Sequence, residues 1–176
     1  MSLRDKSVKT LALCGIFTSL AIIFSTFESL LPIRALIPLP GIKLGIANVV
    51  IVYVLFYIGT RESVLVLICR CVVTALIFGS VTSFLFSVCG GALSLLSAVF
   101  IKKLCPYKLS FVGVSIIGAA FHNIGQMLVC CAMLKTMSAL YYLPSLLLAS
   151  IVCGCITGVM LCLLPDITKS ERKTKI

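Results

Sequence analysis

Six polar side chains interrupt apolar stretches of this 176-residue chain: Glu28, Asn48, Arg70, His122, Asn123 and Gln126. Polar groups inside hydrocarbon are costly, so each marks a contact that repays its burial. His122 and Gln126 are four residues apart and share one face of a helix. Asn123 is turned about 100° from His122 and points to a second face. An unpaired arginine at a helix centre costs about 2.5–3.5 kcal/mol on insertion scales. Arg70 therefore calls for an anion, either Glu28 or a carboxylate or phosphate on a ligand. For His122 the alternative is an interhelical hydrogen bond that holds a bundle together. Lys43 lies just ahead of Asn48 and places a second cation at the entrance to the same region. The chemistry available to this set is binding by hydrogen bonds and charge.

Other chemistries lack their residues. Prenyl transfer needs convergent carboxylates to hold magnesium and diphosphate, and the only aspartates are Asp5 and Asp166, near opposite ends of the chain. No P-loop is present, so nucleotide hydrolysis by that route is not expected. His122 has no serine in a nucleophile motif to activate. The ten cysteines include no CxxC pair, which argues against a zinc knuckle or a redox dithiol. Nine of them sit in apolar runs as small hydrophobes, and Cys105 lies in a basic loop. The expectation is a protein that is not an enzyme and that carries no metal and no cofactor.

The elements that must position these residues are membrane helices. The chain is 61% hydrophobic and 11% charged, against roughly 45–50% and 25% for a soluble domain. Its mean hydropathy is +1.23. The apolar runs do not alternate with polar residues, which disfavours a β-barrel. Six segments are expected, at about 10–31, 44–58, 63–78, 84–101, 111–134 and 141–164, forming one membrane domain over residues 1–176. The first apolar stretch is too long for a signal-peptide core and is expected to be a membrane helix.

The formal net charge of +10 reads as membrane orientation, because no basic stripe interleaved with aromatics suggests nucleic acid. With the N-terminus inside, eleven cations fall on the cytoplasmic side: Arg4, Lys6, Lys9, Arg61, Lys102, Lys103, Lys108, Lys169, Arg172, Lys173 and Lys175. Only Arg34, Lys43 and Lys135 fall outside. This bias predicts an even number of crossings with both termini cytoplasmic. The long connection Pro32–Lys43 holds three prolines and is expected to be either a stiff connector or a wall over an outward-facing cavity. Gly15-x-x-x-Ser19 and Gly154-x-x-x-Gly158 are small-residue pairs that let helices approach closely, within the bundle or against another subunit.

Two multi-residue segments carry a resemblance. The run Pro38-Leu39-Pro40-Gly41-Ile42-Lys43-Leu44-Gly45-Ile46-Ala47-Asn48 and the later Phe121-His122-Asn123-Ile124-Gly125-Gln126 resemble paired motifs of a bacterial membrane family. Arg70 followed by Phe78-Gly79-Ser80, and then Gly90-Gly91, fit the same family. The family is called heptaprenyl diphosphate synthase component I and also Gx transporter. It resembles the substrate-binding S-components of energy-coupling factor (ECF) transporters, which are six-helix membrane proteins. The resemblance implies a pocket formed by the loop before Gly41 with helices four to six. It also implies a transmembrane coupling subunit and ATPases as partners. S-components often dock through Ala-x-x-x-Ala on helix one, to which Gly15-x-x-x-Ser19 is the nearest match here.

The expected protein is thus an S-component-like six-helix bundle in the bacterial inner membrane. It captures a small, anionic solute from the outer face. Arg70, His122, Gln126 and Asn123 are the expected solute contacts, with Lys43 and Asn48 at the entrance and Glu28 orienting Arg70 or Lys43. The other reading is a non-catalytic membrane accessory of polyprenyl diphosphate synthesis, working with a soluble partner that supplies the aspartates.

Overall fold

Long apolar runs satisfy their backbone polar groups within helices, and that is the only secondary structure among the described residues, which are 3–30, 45–78, 81–104 and 110–164 of a computed structural model. Six α-helices follow in order: α1 (Leu3–Leu30), α2 (Asn48–Tyr57), α3 (Thr60–Phe78), α4 (Val81–Leu104), α5 (Phe111–Leu134) and α6 (Leu143–Leu163). A 3₁₀ turn, Met137–Tyr142, leads into α6. The expected connection Pro32–Lys43, with Lys43 itself, lies outside the described residues, as do Gly79, Ser80, Cys105 and Asp166.

The helix ends have local causes. Ser110 caps α5 by accepting a hydrogen bond from the Gly113 amide at 3.2 Å, and α5 stops where Lys135 turns into the left-handed region at φ 51°. Pro144 sits in the first turn of α6, where its missing N–H costs nothing. Helix α4 ends on Lys102 and Lys103. The Lys102 ammonium donates to the Leu55 carbonyl in the last turn of α2 at 2.5 Å. That contact satisfies one orphan carbonyl and sets a cation against the negative end of the α2 dipole.

The surface is inverted relative to a soluble protein. Leu76 and Leu163 are each 79% exposed, while Glu28, Arg70, His122, Asn123 and Gln126 are buried. Such a chain is embedded in a membrane, because water would leave its apolar surface unpartnered and lipid would not. Four helices are long and apolar enough to cross: Val8–Glu28 of α1, α4, α5, and the stretch Met137–Leu163 that ends in α6. Of the six expected segments, the second and third fall outside this measure. Helix α3 carries Arg61, Glu62 and Arg70 within 19 residues. Helix α2 has only ten residues, about 15 Å of helix, against a hydrocarbon core of about 30 Å.

Helix α2 is the axis of the fold. Residues 48–55 are all buried, and its apolar side chains form the main core with Val66, Leu67, Leu95 and Val114 from α3, α4 and α5. On one side α4, α5 and α6 form a tight layer. Their glycines admit neighbouring backbones: a Cβ on Gly125 would lie 2.7 Å from the Cys89 carbonyl oxygen, and one on Gly158 would lie 2.5 Å from the Val112 Cα. The Gly154-x-x-x-Gly158 pair is therefore internal packing against α5. Gly15 is different. A Cβ there would meet nothing within 4 Å, and the neighbouring Ser19 hydroxyl donates to the Gly15 carbonyl of its own helix at 3.0 Å. This face of α1 is open.

Candidate functional site

The site is built where α2 begins. Gly45 takes φ +85°, a left-handed conformation that a residue with a Cβ rarely adopts. Its amide donates to a Glu28 carboxylate oxygen at 2.5 Å. The Asn48 and Val49 amides then donate to the Gly45 and Ile46 carbonyls at 2.9 and 3.1 Å, starting the helix. Glu28 of α1 thus anchors the turn that aims α2. It makes no ion pair with Arg70, whose one polar contact among the described residues is with Cys71. Of the two expected partners of Glu28, Arg70 is thus not in contact with it, and Lys43 lies outside the described residues.

The His122 imidazole is held between two glycines. A Cβ on Gly45 would lie 2.9 Å from its Cδ2, and a Cβ on Gly90 of α4 would lie 2.7 Å from its Cε1 and Nδ1. Only glycine leaves room for the ring on both sides. One helical turn on, the Gln126 amide nitrogen lies 2.9 Å from His122 Nε2. With that nitrogen as donor, Nε2 accepts and the neutral ring carries its proton on Nδ1. His122 and Gln126 are 2% and 0% exposed, so this pair is insulated from solvent.

A small polar chamber opens beside the turn. Asn48, Ser94, Ser115, Cys153 and Thr157 line it, with Gly45 and Gly118 leaving their faces bare. It has free room of about 10 Å³, about enough for one water molecule. Both polar atoms of the Asn48 amide and the Ser115 hydroxyl are buried without a hydrogen-bond partner among the described residues. A larger space of about 270 Å³ lies between α1, α2 and the end of α6, lined by residues such as Phe17, Leu20, Phe24, Val50 and Met160. Its walls are apolar and cannot orient a polar solute.

Arg70 stands apart from His122. Its Nη2 lies 3.3 Å from where a Cβ on Gly91 would be, whereas Gly90 faces His122. Adjacent helical residues point about 100° apart, so Arg70 and His122 approach α4 from different sides. The Arg70 Nε has no partner among the described residues, and neither does the Thr74 hydroxyl one turn away. The expected convergence of Arg70 with His122 and Gln126 is therefore not a shared wall, and Arg70 with Thr74 forms a second polar spot.

Asn123 serves a third purpose. Its amide nitrogen donates to the Leu146 carbonyl at 2.9 Å and to the Ser150 hydroxyl at 2.8 Å, both on α6. This ties α5 to α6 through the amide nitrogen, while the Asn123 Oδ1 is buried without a partner among the described residues. Bonds of this kind within membranes average about 0.6 kcal/mol and reach about 1.7. We expect Asn123→Leu to lower stability by about 1 kcal/mol in a thermal unfolding series in detergent, with bound solute unchanged.

Sequence reading missed Ser94, Ser115, Thr157, Thr74 and Gly45. Hydroxyls in apolar helices usually bond back to their own helix, as Thr157 does to the Cys153 carbonyl at 2.9 Å, so they carry little signal singly. The signal was positional: Ser115, Gly118, His122 and Gln126 recur at helical spacing along one stripe of α5.

Compared with known families, residues 17–164 match the family described as heptaprenyl diphosphate synthase component I, and the chain belongs to that family. No curated protein matches the chain, and no solved structure does.

Proposed function

From its place in the heptaprenyl diphosphate synthase component I family, we propose that this chain is a solute-capturing membrane subunit, similar in role to the S-components of ECF transporters. The observation that carries the reading is the set of buried polar groups gathered where a half-length helix begins, with Asn48 and Ser115 facing a chamber. Transport proteins place solutes near the bilayer midplane at the ends of such interrupted helices. In this reading Asn48, His122 and Gln126 meet the solute, and Lys43 stands at the entrance. Arg70, the one buried cation among the described residues, gives the preference for an anionic group. The protein is not an enzyme. It lies in the bacterial inner membrane with both termini cytoplasmic, as the distribution of lysine and arginine favours. The open Gly15–Ser19 face of α1 is where a coupling subunit with its ATPases would dock.

The family description favours a second reading. The words "component I" fit a membrane accessory that works beside a catalytic partner in heptaprenyl diphosphate synthesis.

One experiment separates the two. The protein is purified in mild detergent, denatured, and its extract examined by mass spectrometry for small molecules, with co-purifying proteins identified in parallel. A near-stoichiometric solute supports capture. An empty protein that retains a prenyl synthase subunit overturns it in favour of the accessory reading.

A further inference from the structure

The chamber beside α2 carries more information than its position. Asn48 is 7% exposed and Ser115 is 5% exposed, so neither reaches solvent for hydrogen bonds. Both the Asn48 Nδ2 and its Oδ1 lack a partner among the described residues, as does the Ser115 Oγ. An unsatisfied polar group is far more costly than the same position filled by an apolar side chain. A folded chain that keeps three such atoms around one space has them set aside for something that enters it. Among the described residues no lysine, arginine or carboxylate lines the chamber, and its polar atoms there are amide and hydroxyl groups. An amide offers one donor and one acceptor side by side, and its complement is an acceptor and donor side by side. Asparagine reads the edge of adenine by the same geometry.

Resting on the solute-capture reading, we infer that the Asn48–Ser115 chamber recognises an uncharged donor–acceptor edge, as found on a carboxamide, a lactam or an aminoheterocycle. Asn48 supplies the paired contact and Ser115 a third hydrogen bond from α5. The free room is about that of one water molecule, so the edge takes the place of a water and seats only as the surrounding side chains give way.

The test uses the full-length protein in detergent with nicotinamide, uracil and adenine as uncharged edges. Nicotinate and inorganic phosphate are the anionic controls. Binding is read by ligand-observed NMR and by thermal shift. At least one uncharged edge binds the wild type and weakens tenfold or more in Asn48→Leu, with a smaller loss in Ser115→Ala. The unliganded Asn48→Leu protein melts no lower than wild type, because it no longer buries an unsatisfied amide. A merely structural Asn48 would instead lower the melting temperature. Binding of nicotinate alone, or binding of the edges that is indifferent to Asn48→Leu and Ser115→Ala, overturns the assignment and leaves an internal water pocket. A co-purified solute kept by Asn48→Leu but lost with Arg70 overturns this inference while solute capture stands. The absence of any co-purified solute together with silence from all five probes removes both.

Discussion

Gly154→Val is expected to unfold the protein or lower its stability by about 3 kcal/mol or more. The glycine sits directly on the α5 backbone. A Cβ there meets the Ile116 Cα and lies 2.8 Å from the Ile116 amide nitrogen. Backbone cannot swing aside as a flexible side chain can, so α5 and α6 must separate. Overpacking a filled interior typically costs about 1–3 kcal/mol, and here separation also strains the Asn123 hydrogen bonds to Leu146 and Ser150. A typical total stability is about 5–15 kcal/mol, so the loss is a large share. Gly15→Val is the control, since its Cβ meets nothing within 4 Å and valine is a slightly better helix former than glycine, so no loss of stability is expected. Size-exclusion profiles after stepwise heating read both. Equal melting of the two variants would contradict the packing described here.

The second large effect is on binding. Arg70→Met is expected to abolish solute retention, at least tenfold, or about 1.4 kcal/mol, while leaving the fold intact. An arginine in mid-helix costs about 2.5–3.5 kcal/mol on insertion scales, and this one has only the Cys71 sulfur at 3.9 Å as a polar contact among the described residues. Methionine fills a similar shape without the charge. Replacing buried charges by apolar residues of like volume is often neutral or stabilising. The unliganded variant should therefore melt at or above the wild-type temperature. The extracted solute, quantified by mass spectrometry per mole of protein, should fall. Retention of solute by Arg70→Met would remove the anionic preference, and a sharp drop in melting temperature would make Arg70 a structural residue.

How much of this was legible in the sequence depends on the physics of each element. Helix α5 lies at the expected residues, 111–134, because a serine cap and a long apolar run agree. Helix α4 runs on to Leu104, past the expected Ile101, because hydropathy marks the edge of the apolar run and the helix continues through Lys102 and Lys103. Helix α2 was expected from Leu44 and begins at Asn48. Leu44, Ile46 and Ala47 are apolar enough to extend a run, but the positive φ of Gly45 stops the helix from extending back through it. The site divides in the same way. Glu28, Arg70, His122 and Gln126 were visible because charge and amide groups in apolar runs are rare. Their partners were not visible, since which side of α4 each residue meets depends on the packing of Gly90 and Gly91 rather than on depth along a helix.

The shortness of α2 bears on how the protein is made. Insertion into a membrane proceeds by recognising stretches of about 20 apolar residues, and α2 offers ten. It cannot enter the bilayer as a segment of its own. Its burial is shared between α1, which precedes it, and α3, α4, α5 and α6, which follow it along the chain and are synthesised later. The Lys102 contact that caps its C-terminal turn likewise waits for the end of α4. Helix α2 is thus packed by segments made both before and after it, and its full burial waits for the later ones.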